Sequence, residues 1–434
     1  MARSSFKLPT TREINPQQQD ALDLPLEGQH LIIGGPGTGK SVVALLRARR
    51  LANAKKDYLF LVYNVLLEKN CYGLGGGELQ AVTWKRWFKN MFSKWFGRAM
   101  PTDAGGNEDW EAIAAMKPLE DIDALPYLVI DEGQDMPPQF YQTLVKVGFE
   151  NFYVVADQNQ RITDRHSSRR EIEATLDIET ENTLKLTANY RNSHPIARLA
   201  HVFCTDDPAV KPVELPKSKI KDKVPWMVRY DDNGERKFAH IAAQILRAYD
   251  RNTDKLICII TPNDNVRERV CKSLISTVLP RQLDHGMPAI QTYSATERTV
   301  DDSLLGKIAE EKCARCGAQM IIRQNRQDGG IFWGCTKYSS SDSGCTHTRD
   351  YVRIDFRNGG IAVINLQSIK GLEFDTVFIA DIDAYWGKDK DELMKKFYVM
   401  VSRARDDIIL LRTGAISQEV EEIMPNDKTI LERR

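Results

Sequence analysis

No stretch of the 434-residue sequence reaches about eighteen consecutive apolar residues, so no membrane-spanning helix is expected. The opening residues, MARSSFKLPT, lack the apolar core of a secretory signal, and the expectation is a soluble, intracellular, cytoplasmic protein with no membrane partner. Net charge is absent too. Lys+Arg and Asp+Glu stand at 60 each, so a nucleic-acid partner cannot be argued from global charge and only local patches can carry it. Cysteine is scarce outside one cluster: of eight, Cys71, Cys204, Cys258 and Cys271 are scattered, which excludes an obvious disulfide framework. There is no internal repeat, which excludes a solenoid, and no nuclease motif, so any cleavage belongs to another chain.

What is present begins at residues 34–41, GGPGTGKS, a complete GxxxxGKS loop. Gly34, Gly35, Gly37 and Gly39 let the backbone turn its amides toward a polyphosphate, with Pro36 and Thr38 completing the loop. Lys40 reaches the outer phosphates and the Ser41 hydroxyl is placed for magnesium. The apolar run 31–33 before the loop and the amphipathic stretch after it supply the strand, loop and helix context the motif requires. ATP and Mg²⁺ are the implied cofactors. A second signal is YLVIDEGQD, residues 127–135, where an apolar strand ends in two carboxylates. At such an end Asp131 can hold the magnesium ion while Glu132 polarises the attacking water. Alone, that pair would be an ordinary solvated loop; beside the phosphate loop it reads as catalytic.

Short β-rich runs alternate with helical patterns along the chain, predicting an α/β fold with mostly parallel sheets. Expected strands are 31–33, 58–62, 127–130 and 152–156 in the first half. A second set covers 256–261, 289–293, 361–365, 376–379 and 408–411. Two domains follow, with a boundary near 195–230, where Pro208, Pro212, Pro216 and Pro225 punctuate a charged stretch. Residues 296–358 are polar, cysteine-bearing and poor in regular patterning, and read as an insertion in the second domain.

In sequence order the motifs resemble superfamily 1 helicases of the UvrD/Rep type over nearly the whole length. Asn15, Gln18 and Ala21 resemble the Q motif, which implies that Gln18 reads the adenine edge. FLVYN (60–64) resembles motif Ia, VTWKRWF (82–88) motif Ib and DEGQD motif II, with Gln134 and Asp135 implied to couple nucleotide to strand. ADQNQRI (156–162) resembles motif III and makes Gln160 the implied γ-phosphate sensor; NYR (189–191) resembles motif IV and gives Arg191 a nucleotide contact. QSIKGLEFDTVFI (367–379) resembles motif V, implying Ser368, Lys370 and Gly371 near the strand and Glu373 near the ribose. YVMVSRAR (398–405) resembles motif VI, with Arg403 in the arginine-finger position. The ring the family places after motif III is missing from RITDRHSS.

The resemblance implies two RecA-like P-loop domains in tandem. The first, 1–195, carries the Q motif, motif IV and those between, with a short 1B-like insertion at about 89–123. The second, 196–295 with 359–434, carries motifs V and VI. A small zinc-binding insertion at 296–358 takes the 2B position. Hydrolysis would need both domains to close on one nucleotide, since the phosphate loop and Arg403 lie on different ones.

Residues 84–98, WKRWFKNMFSKWFGR, interleave Lys85, Arg86, Lys89, Lys94 and Arg98 with aromatics. Basic groups can track phosphates while rings stack on bases. Trp84, Trp87, Phe88, Met91 and Trp95 also recur at helical spacing, as a core-facing stripe does. The favoured reading buries most rings and shows the basic groups to a strand.

Cys313, Cys316, Cys335 and Cys345 form a CxxC pair, eighteen intervening residues, and two further thiols with nine residues between them. A CxxC turn presents two thiolates to one metal, and Zn²⁺ is expected, with His347 competing with Cys345 as fourth ligand. CARCG and GIFWGCTKY resemble the four-cysteine zinc finger at the C-terminal end of type IA topoisomerases, which implies single-stranded DNA binding; the spacing of the last two cysteines is longer here. A purely structural zinc knob and unliganded thiols are the alternatives. The leading functional expectation is an ATP-dependent DNA translocase or helicase, moving 3′ to 5′ by resemblance and favouring single-stranded or tailed DNA over RNA. The alternatives are a DNA-stimulated ATPase sensor or motor subunit serving a nuclease, repair or anti-phage defence partner, and an RNA-directed member of the superfamily.

Overall fold

The computed structural model describes residues 13–74, 81–120, 122, 124–157, 166–205, 215, 223–230, 236–278, 290–293, 308–313, 315–324, 331–338, 344–350, 359–413 and 415–434. Gln160 and the boundary prolines 208, 212 and 216 lie outside them.

The first sheet is built from β1 (Gln29–Gly34), β2 (Tyr58–Val62), β3 (Ala81–Thr83), β4 (Tyr127–Ile130), β5 (Phe152–Ala156) and β6 (Leu184–Leu186). Its order is β3-β2-β4-β5-β1-β6, and every pair is parallel. Parallel strands are covered on both faces, which is why these runs are near-continuously apolar. Successive side chains alternate between the two layers. Ile32, Phe60, Val62, Val129 and Val155 pack with α2 (Lys40–Asn53) and with Leu67 and Cys71 of α3 (Val65–Leu74). Leu31, Ile33, Leu61, Leu128, Ile130 and Val154 pack on the opposite face against α4 (Trp84–Phe96) and α6 (Pro138–Val147). That second layer holds Trp84, Trp87, Phe88, Phe92, Trp95 and Phe96, all buried. The aromatic stripe of α4 is therefore core, extending into residues assigned above to an accessory insertion, while Lys85, Lys89, Lys94 and Arg98 are exposed. Helices α1 (Pro16–Asp23), α5 (Trp110–Ala115) and α7 (Arg169–Thr175) complete this part.

Next come α8 (His194–Val202), β7 (Trp226–Tyr230), α9 (Arg236–Arg251), β8 (Leu256–Thr261), α10 (Asp264–Val278) and β9 (Ile290–Tyr293). Residues Gln291–Asp355 then form a compact unit of their own, distinct from Met1–Ile290 with Phe356–Arg434. Within it β10 (Ile308–Lys312), β11 (Gln319–Gln324), β12 (Ile331–Cys335) and β13 (Thr348–Asp350) make a four-stranded antiparallel meander. Poor in regular patterning by sequence, this stretch thus includes short strands, and among the described residues their small core is Cys313, Met320, Cys335 and Cys345 against Ala318 and Trp333.

The chain returns through β14 (Gly360–Asn365), β15 (Phe374–Ile379), α11 (Lys390–Val401), β16 (Ala404–Thr413), α12 (Gln418–Ile423) and β17 (Glu432–Arg433). The second sheet has the order β17-β7-β16-β15-β8-β14-β9, parallel from β17 through β14. One face buries Ile257, Ile259, Ile361, Val363 and Phe378 under α9 and α10. The molecule is thus an α/β protein with two parallel-sheet domains in tandem and a small antiparallel cysteine-bearing unit. Among the described residues no helix is long and apolar enough to cross a membrane.

Candidate nucleotide site

The phosphate loop leaves the carboxyl end of β1 and ends at the first residue of α2, where side-chain capping is absent and the amides are left to an anion. Gly37 and Gly39 take left-handed φ values of 74° and 88°, which L side chains rarely adopt. A Cβ on Gly37 would come within 2.1 Å of Asn189 Oδ1, and one on Gly39 within 2.1 Å of Gln18 Nε2. The loop is therefore clamped between the Q-motif-like helix α1 and the segment 189–191. Gln18 donates from Nε2 to the Thr38 carbonyl (2.8 Å), and its Oε1 accepts the Asn15 amide (3.1 Å), so its amide braces the loop from below. Thr38 Oγ1 donates to the Gly35 carbonyl at 2.8 Å. Lys40, almost fully buried, curls into the loop and donates to the carbonyls of Gly34 and Gly35, 2.8 Å each, with Asp157 at 3.4 Å.

Asp131 and Glu132 follow β4, one strand removed from β1 across β5, at the same carboxyl edge. Asp131 is wholly buried, its Oδ1 accepts the Glu132 amide (2.9 Å), and its Oδ2 has no hydrogen-bond partner. Burial, reinforced by the neighbouring Glu132 charge, pushes its carboxyl up to about 7, against the pull of Ser41 and Lys40. An orphaned buried carboxylate oxygen beside a serine hydroxyl is a fitting donor set for Mg²⁺, with Ser41 and Asp131 as the residues that would hold it. Glu132 sits in a left-handed turn (φ 54°). Burial raises its carboxyl, but Lys40, Arg403 and Lys370 together outweigh that and hold it below the usual carboxylate range. Gln134 donates to Glu132 Oε2 at 2.6 Å and accepts the Asp157 amide at 2.8 Å, tying the acid to the end of β5.

The second domain supplies the other wall. Arg403, which precedes β16, is buried: Nε donates to Val399 O (3.0 Å), Nη1 to Leu372 O (3.3 Å) and Nη2 to Ser402 Oγ (3.1 Å). Burial lowers its guanidinium to about 10, the nearby Arg191 adds to that, and Glu132, Asp157 and Glu373 pull upward. Arg191 and Glu373 form an ion pair. Lys370 and Asp135 make a salt bridge of 2.5 Å with both groups buried, and Asp135 is raised by burial to about 7 despite it. Asn64 donates to the Lys370 carbonyl (3.3 Å), and a Cβ on Gly371 would lie 2.7 Å from Leu67. Asn192 donates to the carbonyls of Ser402 (3.1 Å) and Ala404 (2.5 Å). Lys40, Asp131, Glu132, Arg191, Glu373 and Arg403 are thus gathered around one cleft between the two sheets, while Gln160 lies outside the described residues. Lys370 is not turned to a strand: its ammonium is spent inside the protein on Asp135.

Two residues in this cleft escaped sequence reasoning. Asp157 directly follows the all-buried β5 and faces Lys40; an acid just after an apolar run was the available signal. Tyr190, whose amide donates to the Gly37 carbonyl (2.8 Å), is half exposed.

Residues 360–411, which carry Lys370, Glu373 and Arg403, match the UvrD-like helicase C-terminal domain. No curated protein sequence matches the chain significantly. Solved structures similar to this chain include the C-terminal domain of a possible DNA helicase from Lactobacillus plantarum (15% identity, 57% of this chain and 99% of that one, TM-score 0.31). Another is Bacteroides Pif1 bound to ssDNA (13% identity, 96% and 95%, TM-score 0.40).

In the separate cysteine-bearing unit, the sulfurs of Cys313, Cys316, Cys335 and Cys345 all lie within 4.8 Å of one another, with Cys313 to Cys345 at 3.6 Å and Cys316 to Cys335 at 3.4 Å. Tetrahedral zinc with Zn–S near 2.3 Å sets sulfurs about 3.8 Å apart, so the set fits that ion. Cys345, not His347, completes the group. Gly317, at φ 69°, allows the tight CxxC turn. The Ala318 amide lowers Cys316 to about 7, whereas burial pushes Cys335 up to about 12. A bound cation would draw both toward thiolate.

Proposed function

We propose that the chain is an ATP-dependent nucleic-acid translocase or helicase that couples hydrolysis to movement along single-stranded DNA, 3′ to 5′, with the zinc unit aiding DNA binding. The observation that carries this reading is the meeting of the two sheets at one cleft, where Asn192 donates to the carbonyls on either side of Arg403 and Lys370 pairs with Asp135 on the turn that bears Glu132. Lys40 and the loop amides take the phosphates and Glu132 orients the attacking water; Ser41 and Asp131 would hold magnesium, whose charge would offset that of the phosphates. Arg403 would then reach the transferring phosphoryl only with the two sheets closed together, so that closing and opening accompany each turnover. The Lys370–Asp135 pair joins the motif V segment to the turn that bears Glu132, and Asn64, after β2, holds the Lys370 carbonyl. A strand lying on that segment would be sensed at the catalytic acid. ATP hydrolysis measured side by side with single-stranded DNA, duplex, tailed duplex and RNA tests this. The expected order is tailed duplex and single strand above duplex and RNA, with displacement of the tailed strand. Hydrolysis indifferent to every nucleic acid overturns the proposal.

A further inference from the structure

Trp386 is the most exposed large apolar side chain among the described residues, at 63%. An indole left in water on a loose loop would be ordinary, but this one is carried by a braced loop. The segment leaves the carboxyl end of β15 through Asp381, a non-glycine residue at φ 53°, whose carboxylate pairs with Lys237 (3.1 Å). Asp383 accepts from buried Arg412 (2.9 Å) and from the Ser417 amide (2.9 Å). Tyr385, buried, donates to the Ile260 carbonyl at 3.1 Å. After the indole, Gly387 packs so closely that a Cβ would lie 2.7 Å from Leu393 N. Lys396 donates to the Trp386 carbonyl (2.8 Å) and holds its ammonium 4.7 Å from the ring centroid. Every neighbour is tied down, yet the ring itself stays in solvent.

The charges around it are unequal in availability. Asp389 caps α11, Asp391 pairs with Lys395 and Glu392 with Lys396, whereas Lys390 stands exposed. A flat ring with the Lys396 ammonium beside it and exposed Lys390 four residues along the chain suits a nucleobase and its flanking phosphates, since stacking needs only a π-face and the backbone needs only positive charge. A rigid aromatic also loses little conformational freedom on binding. The loop lies at the carboxyl edge of β15, beside β8, whose own carboxyl end at Ile260 it contacts through Tyr385. The motif V segment starts from that same edge, at the end of β14.

We infer that Trp386 is a stacking platform for a base of the single strand. The inference rests on the nucleic-acid-motor reading above and adds a contact residue to it. The test is titration of the full chain with twenty-nucleotide oligothymidylate, following intrinsic tryptophan fluorescence and, separately, anisotropy of a labelled oligonucleotide. Trp386→Ala is expected to weaken affinity about tenfold and to remove most of the quenching, with an unchanged melting temperature. Trp386→Phe, which keeps a ring, is expected to retain most of the affinity without the quench. Wild-type affinity and quenching in Trp386→Ala would overturn the inference alone and leave the ring to a protein partner. A wild-type chain that binds no strand would overturn the motor reading and this inference together.

Discussion

Asp131 and Glu132 are neighbours in the chain and are pushed in opposite directions, Asp131 up to about 7 and Glu132 down. The left-handed turn at Glu132 turns the second carboxylate toward Lys40, Arg403 and Lys370 and leaves the first in a dry pocket with Ser41. Those surroundings suit different tasks: a permanently charged acid to orient water, and an oxygen that becomes fully anionic when a cation arrives. Lys40→Ala and Glu132→Gln are each expected to lower ATP turnover by about 10²–10⁴, read as steady-state phosphate release. Asp131 adds a pH dependence. With its pKa raised to about 7, the carboxyl is protonated below that pH, and proton and Mg²⁺ compete for it. The Mg²⁺ concentration for half-maximal hydrolysis should therefore climb as pH falls from 8 to 6, approaching tenfold per unit once below the pKa. An Mg²⁺ requirement flat across that range would show that Asp131 does not hold the ion.

At the scale of elements, the two parallel sheets are joined by a buried ion pair, Lys370 on the turn between β14 and β15 and Asp135 on the turn after β4. Removing one partner from such a pair leaves a dry charge and costs about 3–5 kcal/mol, whereas replacing both with apolar groups is often neutral. Lys370→Met is therefore expected to lower the melting temperature and Lys370→Met with Asp135→Leu to recover much of it. The pH sign follows from Asp135. Its folded pKa stands above its unfolded value, so its contribution favours the fold at low pH and is lost as pH rises through about 7. Without Lys370 the carboxyl rises further, and the Lys370→Met deficit should be larger at pH 8 than at pH 6. This pair was not legible in the sequence, because 235 positions separate its members and only the closed cleft brings them together. The loop at 34–41 and the DE turn were legible because each is built within a few residues of one strand end. Apolar runs such as YLFLV, YLVI and LICIIT announce themselves as strands. Ala81–Thr83, Leu184–Leu186 and Glu432–Arg433 are too short to do so. The stripe of α4 carried two meanings in sequence, and burial of its rings in the structure assigns them to the core while Arg86 turns onto Glu68 at 2.6 Å.

At the scale of the whole molecule, the four-stranded unit differs from the two large sheets in what holds it together. The strand IAEEK is mostly charged, and among the described residues the small core, apart from the thiols, offers Met320, with Ala318 and Trp333 half covered. Burying one such side chain contributes about 1.5–3 kcal/mol, whereas zinc on four cysteines contributes about 10–16 kcal/mol of binding that is also folding free energy. Zinc on these thiols would therefore outweigh the described apolar core of this unit and have little hold on the sheets that bear Lys40 and Arg403, which have large cores of their own. Purified protein should contain one zinc per chain by elemental analysis. Cys313→Ser with Cys316→Ser should abolish it and open 291–355 to limited proteolysis, leaving the cooperative melting of the remainder in place. If the unit grips the strand, the same variant will need more single-stranded DNA to half-saturate ATP hydrolysis, the maximal stimulated rate will change less, and displacement of a tailed duplex will fall. A zinc-free chain with unaltered half-saturation and unwinding would reduce the unit to a structural knob and place strand binding wholly on the two parallel-sheet domains.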